Sequence, residues 1–134
     1  PRHQALARAF RLLEEVGLEG KARQPAHLLS SGEAVRLALA RTLLVEPAVL
    51  LLDEPTASLD PANTLKVEAL LQEAARGGRG VVLATHDLFQ VRRLAHRVVF
   101  LFQGQVVEEA PADRFFPSPR DSRSQAFLEG RLLP

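Results

Sequence analysis

Two hydrophobic patterns alternate along this chain, one with helical spacing and one made of short unbroken runs. Apolar residues three and four positions apart predict amphipathic helices, whereas a continuous apolar run predicts a buried parallel strand. In chain order the patterns predict a helix over 4–16, a helix from Ser30 to about Leu44, a strand over 48–53, a helix that starts at Asp60-Pro61 and ends at Gly77-Gly78, a strand over 81–85, a short helix over 88–95, a hairpin of 98–102 with 106–107, and short helices near 112–116 and 123–132. Strand, helix and strand in succession indicate an α/β fold with a parallel sheet flanked by helices.

The strand over 48–53 ends in two adjacent carboxylates, Asp53 and Glu54, which are followed by Pro55. Ligands of open α/β sheets bind beyond the carboxyl ends of the strands. Two acids at that edge can therefore serve a bound metal ion and a water molecule. A solvated strand end without any chemistry is the alternative that this run alone leaves open.

Two helix starts carry recognisable capping patterns. Ser30 and Glu33 have the spacing of a capping box, and Asp60 precedes Pro61 as an N-cap precedes a proline at the first helical position. A helix start also presents free N–H groups and the positive end of the helix dipole, so it can hold a phosphate. On these residues alone, simple capping explains both patterns without a ligand.

Four features now stand in a fixed order: Leu29–Glu33 at a helix start, the strand that ends in Asp53-Glu54, the segment Ala57–Asp60, and the strand that ends in Thr85-His86. In this order and at these spacings, the chain resembles the C-terminal half of the nucleotide-binding subunit of ATP-binding cassette (ABC) transporters. The features correspond to that family's signature motif, Walker B strand, D-loop and switch histidine. The implied fold is the C-terminal part of an ABC-type P-loop NTPase domain.

The resemblance also implies a division of the chain and a role for each matched residue. Residues 1–44 would be the helical subdomain part with the signature helix, 45–110 the catalytic α/β lobe part, and 111–134 a helical tail. Asp53 would hold Mg²⁺ through its water shell, and Glu54 would be the general base for the attacking water. His86 would be the second catalytic residue and would hydrogen-bond the γ-phosphate and that water. The implied nucleotide-binding residues are Ser30, Ser31, Gly32, Glu33, Asp53 and Asp60.

The chain departs from the family pattern in three places. Ser31 stands where a glycine is usual, which would be strained if the backbone there has a positive φ. Glu33 stands where a glutamine is usual and adds a carboxylate near the expected anion. No G-x-x-x-x-G-K-[ST] phosphate loop occurs in these 134 residues. We therefore expect this chain alone to bind ATP weakly or not at all, and to be inactive as an ATPase.

The implied function is that of an ATPase subunit, or a fragment of one, that couples ATP hydrolysis to solute import, with ATP and Mg²⁺ as cofactors. The implied partners are a second nucleotide-binding subunit in a homodimer, transmembrane permease subunits and, indirectly, a periplasmic or extracellular solute-binding protein. The implied location is cytoplasmic, on the inner face of the membrane. The tail from Gly104 to Gly130 is similar to that of oxyanion importers, for example of phosphate, tungstate or molybdate.

Two alternatives from other functional classes stay open. One is a DNA-repair or chromosome-maintenance ATPase of the SMC type, and the other is a truncated, non-catalytic dimerisation module. The formal net charge of +1 gives no support to a nucleic-acid partner, and no sustained heptad pattern is present. The absence of cysteine excludes disulfides and thiolate metal sites. The remaining histidines, His3, His27 and His96, are interpreted as surface or packing residues, and Arg92, Arg93 and Arg97 as a solvated face.

Overall fold

The protein is represented by a computed structural model that describes residues 1–131 and 133 and divides into two units, 1–84 and 85–134. The first unit contains α1 (Arg2–Glu15), short 3-10 turns at Glu19–Lys21 and Ala26–Leu28, α2 (Ser31–Leu44), β1 (Val49–Asp53), α3 (Pro61–Arg76) and β2 (Gly80–Ala84). The second unit contains α4 (Leu88–Leu94), β3 (Arg97–Phe102), β4 (Gln105–Pro111), α5 (Ala112–Phe115) and α6 (Ser122–Leu128). The predicted α/β class with a parallel strand pair is confirmed.

The parallel pair of the first unit is buried on one face and open on the other. β1 and β2 run side by side, with Val49 opposite Gly80 and Asp53 opposite Ala84. On the inner face, Leu50 is 1% exposed and packs with buried residues of α2 and α3, namely Leu39, Val67 and Leu71. On the other face, Leu51 is 77% exposed. An unbroken apolar run therefore predicted the strand correctly, but within the described chain only one of its faces is covered.

A second cluster joins α1 to α2 in the same unit. Val16 and Leu18, which follow α1, are buried against Ala40 of α2. The buried guanidinium of Arg36 donates a hydrogen bond from Nη1 to the Val16 carbonyl oxygen at 2.9 Å. Gly17 has a φ of 73° and passes directly beside that guanidinium, so a side chain at this position would be both strained and obstructed.

The second unit is built around an antiparallel hairpin of β3 and β4. Its two-residue turn, Gln103-Gly104, has φ values of 50° and 75°, which is the type I′ pattern that suits the twist of a hairpin. β4 therefore begins at Gln105, one residue before the predicted strand. The ring of Phe127 stacks on that of Phe100 at 5.0 Å between centroids, and Phe115 is buried beside them.

The tail is helical as predicted, although its last helix is shorter than predicted. α6 ends at Leu128, and Gly130 has a φ of 71°, which no right-handed helix accommodates. The predicted end of this helix, Leu132, lies outside the described residues. The predicted division into 1–44, 45–110 and 111–134 stays a prediction. Among the helices that are described, none combines the length and the apolar character needed to cross a bilayer.

Candidate nucleotide site

The start of α2 is a complete capping box. The Oγ of Ser30 accepts a hydrogen bond from the Glu33 N–H at 3.2 Å, and Oε1 of Glu33 accepts one from the Ser30 N–H at 3.0 Å. The second carboxylate oxygen of Glu33 lies 3.3 Å from Nζ of Lys21. The hydrogen bond from the Ser30 backbone, followed by the contact with Lys21, lowers the pKa of Glu33 below its ordinary value. The charge that Glu33 adds at this position is therefore partly balanced by Lys21.

Ser31 and Gly32 lie in the first turn of α2, where Ser31 corrects an expectation and Gly32 makes a packing contact. Ser31 is the exposed first residue of the helix and does not have a positive φ, so the expected strain at this position is wrong. Gly32 is buried, and a methyl group added to it would lie 2.6 Å from Cγ and Oδ1 of Asn63. Gly32 therefore has a packing reason to be glycine, in addition to the close approach of a phosphate that the sequence suggested.

The two acids at the end of β1 differ in backbone conformation. Asp53 is the last strand residue and is exposed. Glu54 has a φ of 46°, in the left-handed region that a residue with a Cβ rarely occupies. Its N–H donates to the Ala84 carbonyl oxygen of β2 at 2.9 Å, which continues the sheet by one bond beyond β1. The sheet thus holds a strained glutamate directly at its carboxyl edge.

Asp60 caps α3 as the sequence predicts. Its Oδ1 accepts a hydrogen bond from the Asn63 N–H at 2.8 Å, and Pro61 is the first helical residue. This confirms its role as a cap, while its implied role in nucleotide binding stays a prediction. Because the added methyl at Gly32 would touch Asn63, the starts of α2 and α3 are neighbours within the first unit.

His86 belongs to the second unit, where it is exposed. The next residue, Asp87, caps α4 by accepting hydrogen bonds from the N–H groups of Phe89 and Gln90. The role of His86 at a γ-phosphate stays a prediction. The other histidines, His3, His27 and His96, are exposed, as expected of surface residues. The predicted solvated arginines, Arg92, Arg93 and Arg97, are exposed as well.

Residues 3–57 match the family model "ABC transporter". The chain is 48% identical over 124 residues to "Phosphate import ATP-binding protein PstB 2" of Natronomonas pharaonis, a match that covers 92% of this chain and 44% of the relative. It is 46% identical over 121 residues to a "Probable anion import ATP-binding protein" of Haloferax volcanii, covering 90% of this chain and 42% of the relative. Over about nine tenths of its length, the chain is therefore similar to ATP-binding proteins of ABC transporters.

A solved structure supports the same assignment for the fold. The chain is similar to cbiO1 from Clostridium perfringens, described as part of the ABC transporter complex cbiONQ, with a TM-score of 0.80 and 34% identity. That match covers 88% of this chain and 47% of the solved one. The chain spans about half the length of the curated relatives it matches. The fold is therefore that of a partial ABC-type P-loop NTPase domain.

The donor set at the β1 edge fits the way in which Mg²⁺ binds beside nucleotides. Within residues 1–131 and 133, no group of three or more His, Asp or Glu side chains could hold a metal ion as an all-protein cage. Mg²⁺ at ATP sites keeps several waters and takes one or two carboxylates together with phosphate oxygens. The exposed carboxylate of Asp53, at the end of a strand, matches that requirement.

Three residues in or beside the candidate site carried no signal in the sequence. Lys21 reaches Glu33 from a 3-10 turn, Arg36 ties α2 to the end of α1, and Asn63 packs on Gly32. Each of these contacts joins segments that are distant along the chain. Residue spacing within one helix, which predicted the caps, contains no information about them.

Proposed function

We propose that this chain supplies the hydrolytic edge of an ATP site in the ATP-binding subunit of an ABC importer. The observation that carries the proposal is the backbone of Glu54, left-handed at a φ of 46° and tied by its N–H to Ala84 of the neighbouring strand. Conformations of this kind cost free energy, persist only where the surrounding structure holds them, and cluster at active sites. Here the conformation places a carboxylate at the sheet edge where ligands of such folds bind.

In this proposal the two acids at the carboxyl edge of β1 have different roles. Asp53 holds Mg²⁺ through water, and the ion, when bound, neutralises charge on the phosphate oxygens. Glu54 accepts the proton of the attacking water as general base. His86 donates a hydrogen bond to the γ-phosphate, where negative charge develops during hydrolysis.

The start of α2 binds the γ-phosphate of an ATP molecule held by a second subunit. The Oγ of Ser30 already accepts a hydrogen bond from the Glu33 N–H, so its hydroxyl hydrogen can be donated to a phosphate oxygen. The free N–H groups of Ser31 and Gly32 point along the helix dipole toward the same anion. Lys21 offsets the carboxylate of Glu33, which would otherwise repel that phosphate. Asp60, at the neighbouring start of α3, lies at the junction with the second subunit.

The subunit works in an assembly at a membrane. We propose a homodimer of nucleotide-binding subunits, on the cytoplasmic face, that drives permease subunits fed by a solute-binding protein. The relatives named for phosphate and anion import favour an oxyanion cargo such as phosphate, tungstate or molybdate. The same relatives favour an importer over an ATPase of the SMC type.

The chain by itself should not hold ATP firmly. The lysine and backbone N–H groups of a phosphate loop grip the β- and γ-phosphates in P-loop proteins, and no such loop occurs in this sequence. Calorimetric titration of the 134-residue chain with Mg-ATP should therefore show no binding in the micromolar range. Micromolar affinity would contradict this part of the proposal.

Hydrolysis by the complete subunit that contains this chain tests the role of Glu54. Glu54→Gln keeps the size of the side chain but removes the base, so we expect the turnover of ATP to fall about 10²- to 10⁴-fold. Glu46→Gln is a matched control, because Glu46 is also left-handed, with a φ of 52°, but follows α2 and pairs with Arg8. That variant should keep turnover within about twofold of the unsubstituted subunit. Equal turnover in both variants would contradict the role of Glu54 as general base, whereas an unsubstituted subunit without turnover would favour a non-catalytic module.

A further inference from the structure

The contact between Gly32 and Asn63 joins two helix starts that the proposed ATP site uses. Gly32 is buried in the first turn of α2, and Asn63 is half-buried in the first turn of α3. A methyl group at Gly32 would lie 2.6 Å from Cγ and Oδ1 of Asn63, and 3.1 Å from its Cβ. Contacts as short as 2.6 Å do not occur between such atoms, so any side chain at position 32 must displace Asn63 or separate the helices.

The backbone and Cβ of Asn63 are held in place, although its Cγ and Oδ1 can turn. The Asn63 N–H donates to Oδ1 of Asp60 at 2.8 Å, which holds the residue in the first turn of α3, and its Cβ would lie only 3.1 Å from the added methyl group. Further along, α2 and α3 are packed together through Leu39, Val67 and Leu71. A side chain at Gly32 would therefore turn the end of the Asn63 side chain and also press on its Cβ, which moves the two helix starts apart.

We infer that Asn63 is a positioning residue, which sets the distance between the start of α2 and the start of α3. The inference rests on the proposed function, in which Ser30 and Gly32 bind phosphate while Asp60 lies at the subunit junction. Asn63 does not touch the nucleotide in this role. It acts through its contact with Gly32. A displacement of Asp60 at the start of α3 would therefore move the first turn of α2, and a displacement of that turn would move Asp60.

The inference separates two reasons for a glycine at position 32. If the glycine is needed because Asn63 lies against it, a smaller residue at position 63 should restore what a methyl group at position 32 removes. If it is needed only for the approach of phosphate, the residue at position 63 should not matter. Leucine at position 63 is the control, because its branched side chain matches asparagine in shape and keeps the obstruction.

The test measures ATP hydrolysis by the complete subunit in five versions: unsubstituted, Gly32→Ala, Asn63→Ala, Gly32→Ala with Asn63→Ala, and Gly32→Ala with Asn63→Leu. We expect Gly32→Ala to lower kcat/KM roughly 10- to 100-fold, as a displaced binding group does. Asn63→Ala should recover most of that loss, whereas Asn63→Leu should recover none. By itself, Asn63→Ala should raise the KM for ATP more than it lowers kcat, because a loosened helix start weakens binding of the phosphate.

Other outcomes would overturn the inference. Equal impairment of Gly32→Ala with and without Asn63→Ala would show that position 63 does not act through Gly32. Recovery with Asn63→Leu as well would show that size at position 63 is not the cause. If the double variant regains thermal stability but not hydrolysis, the contact is structural only, and the proposed function stands without this inference. An unsubstituted subunit that hydrolyses no ATP would contradict the proposed function, and the inference with it.

Discussion

Two glutamates, one in each unit, show how differently this chain uses a carboxylate. Glu108 of β4 is buried, with a side chain that is only 6% exposed, and it is surrounded by donors. Glu54 stands at the carboxyl edge of the first unit's sheet, on a left-handed backbone. The surroundings of Glu108 stabilise the native structure, whereas the left-handed backbone of Glu54 costs free energy.

The surroundings of Glu108 are those of a structural carboxylate. Its oxygens accept hydrogen bonds from the N–H groups of Arg120, at 3.0 and 3.1 Å, and of Asp121, at 2.9 Å, while Nη1 of Arg114 lies 3.4 Å away. Burial by itself would raise the pKa of Glu108, but the bonds from the Asp121 and Arg120 backbones outweigh it, and the pKa is lowered. Glu108 thereby holds the segment before α6 against the hairpin.

The difference indicates that Glu54, and not Glu108, is the candidate for catalysis. The carboxylate of Glu108 is buried and accepts bonds from backbone donors, which is typical of a structural role, whereas the left-handed backbone of Glu54 lies at the ligand-binding edge of a sheet, and such conformations cluster at functional sites. Loss of Glu108 should therefore affect stability, and loss of Glu54 should affect hydrolysis.

Glu108→Ala should destabilise the second unit by about 2–4 kcal/mol, because it removes a buried carboxylate that accepts hydrogen bonds from the Arg120 and Asp121 N–H groups and pairs with Arg114. Protection of amides in the hairpin against hydrogen exchange would measure the loss. Glu109→Ala is the matched control, since Glu109 is adjacent and exposed, and its carboxylate pairs with Arg97. It should cost at most about 1 kcal/mol. Similar losses of stability in both variants would show that Glu108 contributes no more to the stability of the second unit than an exposed glutamate.

Acid should weaken the second unit through the same residue. The folded-state pKa of Glu108 is lower than its unfolded value of about 4.3, so its contribution is fully present above that pH. The contribution is lost as the pH falls through the folded-state pKa. Unfolding measured between pH 7 and pH 3 should therefore depend less on pH in Glu108→Gln than in the unsubstituted chain. Parallel curves for the two proteins would contradict this role.

Glu54→Gly should have the smallest effect on stability, and of the opposite sign. Glycine accepts a φ of 46° without strain, so the gain should reach at most about 1 kcal/mol after the entropy cost in the unfolded chain. Glu46→Gly also relieves a left-handed glutamate but loses the pair with Arg8, and is a useful comparison. Chemical denaturation measures both changes. A loss of more than about 1 kcal/mol in Glu54→Gly would mark Glu54 as structural, like Glu108.

The sequence predicted those parts of the fold that short segments determine. Caps at Ser30 and Asp60 were predictable because a side chain bonds to a backbone group only three residues away. The strand over 48–53 was predictable because its apolar run is unbroken. The two departures in the signature segment were visible in sequence, but their consequences were not. Whether Ser31 is strained depends on where the helix begins, and the balance of the charge on Glu33 depends on a lysine in another turn.

Tertiary contacts explain the rest. The burial of Glu108 could not be predicted, because the N–H groups that bind it come from a segment that follows α5. Asn63 carried no pattern at all, since its importance arises only where α3 approaches α2. The open face of β1 could not be predicted either, because an unbroken apolar run does not indicate which face of the strand is covered by the rest of the chain.

The most direct test of the central claim is the state of the nucleotide bound to Glu54→Gln in the complete subunit. After incubation with Mg-ATP and rapid removal of free nucleotide, the protein is denatured and the bound ATP and ADP are counted over time. The account predicts that Glu54→Gln retains intact ATP after the unsubstituted subunit and Glu46→Gln have converted theirs to ADP. Conversion of bound ATP to ADP by Glu54→Gln at the unsubstituted rate would contradict the assignment of Glu54 as the general base.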